Sequence, residues 1–133
     1  MAAAHNRRQP RRAYNLAVLL EGRVVGWLGF GQTPEPSPRR FEFGYALLPS
    51  VWGRGSMTET LEAALAFMFG PLGADLVVGA CETGNTASVR VMERAGMRLV
   101  HTRSEAEAGA AREVCRFVMD RPAWQLVRGT GLP

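Results

Sequence analysis

Leu47-Leu48-Pro49-Ser50-Val51-Trp52-Gly53-Arg54-Gly55-Ser56-Met57-Thr58-Glu59 carries an apolar strand into a Gly-x-Gly turn and straight on into a helix. Such a junction suits an anion. The glycines let backbone approach a ligand closely, and the first N–H groups of a helix have no partner within it, so they and the helix dipole attract phosphate. Ser56-x-x-Glu59 is a capping-box pattern, which sets the helix start at Gly55 or Ser56. The plainer alternative is a glycine turn before a helix with no ligand at all.

Two familiar phosphate loops fail on spacing. A Walker loop needs four residues between its glycines and a Gly-Lys-Ser/Thr ending, and neither is present. A dinucleotide fingerprint needs a third glycine where Thr58 stands, and an early strand, whereas here about fifty residues precede the turn.

A third pattern fits. Glu42-Phe43-Gly44-Tyr45-Ala46-Leu47-Leu48-Pro49, the Trp52-Gly53-Arg54-Gly55 turn, Asn85-Thr86-Ala87-Ser88 and Glu93-Arg94-Ala95-Gly96-Met97 stand in an order and separation that resemble the GNAT-type N-acetyltransferases. The wording is most similar to the branch that includes the ribosomal-protein N-terminal acetyltransferases. The resemblance spans residues 14 to 119 and is silent on the acceptor. It implies a mixed α/β (α+β) fold with a largely antiparallel, splayed sheet and two main helices. It also implies acetyl-CoA as cosubstrate, no metal, and a primary amine as acceptor, either a protein N-terminus or a small amine. Family members open with a strand and helices that wall the acceptor site, and this chain reads as lacking them at its front. A CoA-binding or dimerisation module without catalysis is the alternative.

Composition sets wider bounds. At 133 residues and 47% hydrophobic, the chain has apolar material for one domain with a modest core. No apolar run approaches the roughly 20 residues of a membrane span, and the start lacks the apolar segment of a secretory signal. All sixteen basic residues are arginine. Together with abundant alanine and glycine this points to codon bias, so the net charge of +4 is a poor argument for a nucleic-acid partner. Cys81 and Cys115 stand in strand-like stretches and read as reduced thiols of a cytoplasmic protein. Without CxxC spacing, and with His5 and His101 the only histidines, no metal set assembles.

Along the chain, residues 1–13 form an aperiodic Arg-rich arm, and a domain over 14–120 follows. Glu21-Gly22 joins two apolar runs as a hairpin, with Gly26 and Gly29 weakening the second strand or marking a bulge. Arg40 to Leu48 alternates, placing Phe41, Phe43 and Tyr45 against helices and Glu42 on the open face. Met57, Leu61, Leu65 and Met68 recur at helical spacing. A short buried strand follows from Asp75 to Cys81. Asn85 or Thr86 caps a second helix that ends at Gly96, and strands are expected over Met97 to Thr102 and Glu113 to Met119, with a loop from Glu105 to Arg112. Residues 121–133 read as a tail without regular structure.

The resemblance assigns roles residue by residue. Backbone of Leu47 and Leu48 meets the pantetheine amides, and the N–H groups of Gly53, Arg54, Gly55, Ser56 and Met57 hold the pyrophosphate, with Trp52 beside them and Asn85 at the pantetheine end. Ser50 stands where the family usually has Gln or Arg. Glu42 is the candidate base, since it lies on the strand that lines the cleft, and Ser88 faces the thiol or serves as an extra capping hydroxyl. The tyrosine that many members use as general acid is replaced by Met92. An incomplete front would leave apolar faces bare, so a homodimer is expected, with Trp27, Phe30 and Tyr45 near its boundary.

Overall fold

The computed structural model describes residues 13–34, 37–51, 55–107 and 110–130. Most of the arm, and Trp52, Gly53 and Arg54, lie outside them. In chain order the elements are β1 (Ala13–Leu20), β2 (Arg23–Gln32), β3 (Arg40–Leu47), a 3₁₀ turn (Pro49–Val51), α1 (Ser56–Phe69), β4 (Leu76–Glu82), α2 (Thr86–Arg94), β5 (Arg98–Glu107), β6 (Ala110–Asp120) and α3 (Arg121–Thr130). The sheet order is β1-β2-β3-β4-β6-β5, and among its described pairings only β3 with β4 is parallel.

The first hairpin turns where expected. Glu21 and Gly22 both have positive φ, 52° and 79°, a two-residue turn whose twist matches that of the strands it joins. Pairing slips between Val18 and Leu19, which leaves Val25 as an extra residue beside Gly26. The Val25 carbonyl then accepts the Leu48 N–H at 2.8 Å, tying the end of β3 to the hairpin. Gly26 is required for this approach, because a Cβ there would collide with the Ala46 carbonyl oxygen.

Phe41 and Phe43 are buried on one face of β3 while Glu42 is exposed on the other, as the alternation demands. The same face takes Leu28 and Phe30 from β2, Val77 from β4, and Cys115, Phe117 and Met119 from β6. Against it α1 lays Met57, Leu61, Ala64, Leu65 and Met68, the stripe read from the sequence. Each large apolar side chain buried this way contributes about 1.5–3 kcal/mol of transfer free energy. Phe30 is 4% exposed, stacked on Tyr14 and edge-on to Phe67. It therefore sits in the core and not at an open boundary. Trp27, by contrast, is 49% exposed on the opposite face.

Three sequence expectations are corrected. Residues 121–130 are helical: Asp120 caps α3 by accepting the Ala123 N–H at 2.9 Å, and Pro122 falls in the first turn, where a missing N–H costs nothing. Trp124 stacks on Phe69 at 5.3 Å, and the Arg121 guanidinium donates to the Phe69 and Ala74 carbonyls, closing the end of α1. Next, the loop assigned to 105–112 is mostly ladder, with Glu105↔Arg112 and Ala106↔Ala111 in register. Backbone pairing needs no apolar side chains, so composition hid it. Finally, the capping box does not form. Gly55 is the N-cap at φ 81°, no side chain caps the helix, and Ser56 is already its first residue.

The β3–β4 ladder runs from Arg40↔Leu76 to Phe43↔Gly79 and stops. Beyond it β3 stays with β2 as far as Leu47, while β4 follows β6 to Glu82. At that last rung the Phe43 ring lies where a Cβ on Gly79 would be. Gly79→Ala should therefore destabilise the fold by about 1–3 kcal/mol through overpacking, and adding Phe43→Leu should recover part of the loss. Urea denaturation measures both, and wild-type stability for Gly79→Ala would show that the ring is not fixed there.

Candidate active site

The cleft opens where β3 and β4 part. It has a volume of about 390 Å³, within the rough 300–1,000 Å³ of small-molecule sites. One wall is the end of β3, Tyr45 to Leu47; a second is the start of α1, Gly55 to Thr58; the third is α2. The cleft gathers six of the residues named from the sequence: Leu47, Gly55, Ser56, Met57, Asn85 and Ser88.

Gly55 shapes the α1 end. Its backbone is left-handed, and with no side chain it offers no cap of its own to the first-turn N–H groups. The first backbone bond of the helix comes from Glu59 N–H to the Gly55 carbonyl at 3.0 Å, which leaves Ser56, Met57 and Thr58 as the leading donors. That is an anion-attracting end with its donors pointed along the helix axis.

α2 begins at Asn85, whose Oδ1 accepts the Ser88 N–H at 3.1 Å. The Ser88 hydroxyl is thus not a capping group. It donates to the Tyr45 hydroxyl at 2.9 Å, and Tyr45 donates in turn to the Ser88 carbonyl at 3.2 Å. Burial pushes the Tyr45 hydroxyl up to about 12, with the Ser88 bond pulling the other way and nearby Cys81 adding to the rise. Cys81 faces Cys115 across the β4–β6 ladder, and both are free thiols. Burial, then Cys115, raises the Cys81 thiol to about 11, so it stays protonated at neutral pH.

Two named residues stand apart from the cleft. Leu48 does not line it, and its N–H is already given to Val25. Glu42 lies one residue short of the last rung on the opposite face, half-exposed, its carboxylate 2.9 Å from Arg40 Nη2. The sequence reading assigned Tyr45 to helix packing and to the neighbourhood of a dimer boundary, not to the cleft, and it gave Arg90 and Arg94 no place in the site. A stripe gives the arginines away: Ala87, Arg90, Val91 and Arg94 recur at i, i+3, i+4 and i+7 and all line the cleft. Met92 falls off that stripe, 1% exposed in the core.

Residues 1–98 match the family model described as the acetyltransferase (GNAT) domain. Among curated proteins, the chain is 33% identical over 88 residues to the FsC-acetyl coenzyme A-N(2)-transacetylase of Aspergillus fumigatus, covering 62% of this chain and 37% of that one. It is 28% identical over 75 residues to the uncharacterized N-acetyltransferase YoaA of Bacillus subtilis, covering 56% and 42%. The chain thus spans about two fifths of the length of these relatives. Among solved structures, Mycobacterium smegmatis RimJ in complex with CoA-disulfide superposes with a TM-score of 0.80 at 23% identity, over 97% of this chain and 65% of that one. At that identity the likeness speaks for the fold.

The geometry makes Gly55 the sensitive point for an anionic ligand. A Cβ there would meet nothing within 4 Å, so Gly55→Ala does not clash; its cost, about 1–2 kcal/mol, comes from the left-handed backbone. We expect the turn to shift out of that conformation and acetyl-CoA affinity, measured by calorimetry, to fall at least tenfold. Gly55→Asn, which tolerates the conformation, should bind more tightly than Gly55→Ala.

Proposed function

Because this chain belongs to the GNAT acetyltransferase family, whose domain matches 98 of its 133 residues, we propose that it transfers an acetyl group directly from acetyl-CoA to a primary amine, a protein N-terminus or a small amine. One observation carries this reading: a helix start with a glycine at its N-cap, a strand edge that has left its β4 ladder and a hydroxyl pair line a single cleft. Acetyl-CoA has the matching parts, an anionic pyrophosphate, a chain of amides and a thioester.

In this assignment the N–H groups of Gly55, Ser56 and Met57 hold the pyrophosphate; Gly53 and Arg54, assigned to the same role from the sequence, and Trp52 beside them lie outside the described residues. Arg90 and Arg94, about one and two turns into α2, add positive charge to the same cleft. The pantetheine lies along Ala46 and Leu47, at the edge that has left β4. Its far end reaches Asn85 and Ser88.

Glu42 enters from the other side of the sheet. An amine approaching the apex from that face meets its carboxylate one residue before the last rung, and Glu42 is the proposed base that takes the amine's proton, directly or through a water. A second apolar groove, of about 440 Å³, lies around Trp27, Leu48 and Pro49 and shares Ala46 and Leu47 with the cleft. Exposed Leu19, Val24, Trp27 and Leu48 lie on or beside it, and we propose that a second copy of the chain covers them as a homodimer. The free thiols and the CoA donor suit a reducing cytoplasm; among the described residues no helix is long and apolar enough to cross a membrane.

Thermal melts with acetyl-CoA, CoA, NAD and ATP test the donor. The two CoA species should stabilise the protein by about 2.7 kcal/mol at a hundredfold excess over Kd, and an equal response to NAD would defeat the assignment. Release of free thiol that requires both acetyl-CoA and an amine tests the transfer. Glu42→Gln should lower kcat/KM for the amine by at least ~10² with acetyl-CoA affinity unchanged; undiminished turnover would pass the proton to water instead.

A further inference from the structure

Resting on the acetyl-transfer reading, we propose that Tyr45 is a catalytic residue, its hydroxyl donating a hydrogen bond to the departing sulfur, and that Ser88 positions this hydroxyl without touching the sulfur. Tyr45 is two residues past the last β3–β4 rung, on the face that lines the cleft. Its ring is stacked on Phe43 at 6.1 Å and 10°, which fixes the direction in which the hydroxyl points.

The donors in the pair are not equivalent. The Ser88 hydroxyl proton is committed to Tyr45 Oη in the shorter bond, 2.9 Å. The Tyr45 proton is in the longer one, 3.2 Å, to a carbonyl that helix geometry already supplies with the N–H four residues on. Rotation about the C–O bond exchanges the Ser88 carbonyl for an acceptor in the cleft, and the Ser88 hydroxyl keeps the phenol oxygen in place while it does so. With its hydroxyl raised to about 12 by burial, Tyr45 retains its proton over the whole neutral range and remains a donor. Met92 is sealed in the core and cannot serve.

The step balances as follows. The amine nitrogen bonds to the acetyl carbon and passes a proton to Glu42, which releases it to solvent; the carbon–sulfur bond breaks and its electron pair stays on sulfur. The thiolate is stabilised by the Tyr45 hydrogen bond, then takes from water a proton equal to the one nitrogen released. Tyr45 gives up none of its own. The products are the amide and the CoA thiol.

Tyr45→Phe keeps the stack and removes only the hydroxyl. We expect kcat to fall by about 10², as for loss of one donor to developing charge, with KM for acetyl-CoA changed less than about threefold. Ser88→Ala should lower kcat by about tenfold in the wild type and not at all in the Tyr45→Phe background, because its effect passes through a group already gone. Equal effects in both backgrounds, or full turnover by Tyr45→Phe, overturn the assignment alone. A wild-type protein that binds acetyl-CoA yet releases no thiol overturns the transfer reading and this assignment with it. If Tyr45→Phe melts below the assay temperature, Ser88→Thr is set against Ser88→Ala: the hydroxyl-bearing variant should keep turnover, and equal rates would refute the role.

Discussion

The ring of Phe43 lying over Gly79 is the contact on which the rest of the structure depends. Two parallel strands joined through a helix have no inherent reason to part after four rungs. Here the last rung carries a large ring on one strand and no Cβ on the other. The ring fills that space and gives Tyr45 a surface to stack on, and Tyr45 then spans the gap to Ser88. The opening is therefore held by a strut as well as left by missing hydrogen bonds. It is bounded by packed side chains at its apex and by backbone at its mouth.

The α1 wall is braced by a closure late in the chain. Arg121 donates to the carbonyls of Phe69 and Ala74, its backbone N–H reaches the Asp75 carbonyl, and Trp124 covers Phe69. These contacts join the end of α1, whose start is one wall of the cleft, to the start of β4, the strand from which β3 parts. Hydrogen bonds from a charged donor are worth about 1.5–3 kcal/mol each, comparable with burying one large apolar side chain. The region assigned to a structureless tail thus supports the site from behind.

The parts of this architecture that rest on periodicity and turn chemistry were legible in the residues. Alternation separated Phe41 and Phe43 from Glu42, the helical stripe from Met57 to Met68 was read correctly, and Glu21-Gly22 marked its hairpin. The cap of α2 was narrowed to Asn85 or Thr86 from position alone, and Asn85 takes it. Pairings between distant residues left no such trace. Nothing local to Tyr45 announces a partner 43 residues away, and nothing in Ser88 separates a capping hydroxyl from one that holds a phenol. α3 was missed because Pro122 and two late glycines weigh against a helix, whereas its N-cap and its docking on Phe69 decide the matter. The capping box failed for a related reason: Gly55 in the left-handed conformation ends the turn one residue too soon for Ser56 to cap.

All three helices pack on one face of the sheet, and the core residues gather there in one cluster. The opposite face, with Ala17, Leu19, Trp27, Glu42 and Ala46, is largely exposed. Substitutions on such a surface usually change stability by no more than about 0.5 kcal/mol. Folding and partner choice are thereby written on separate surfaces of the same strands. A lineage carrying this sheet can vary most outer positions with little effect on the fold, Glu42 and the apolar groove answering to function instead, while the inner positions stay under constant packing constraint.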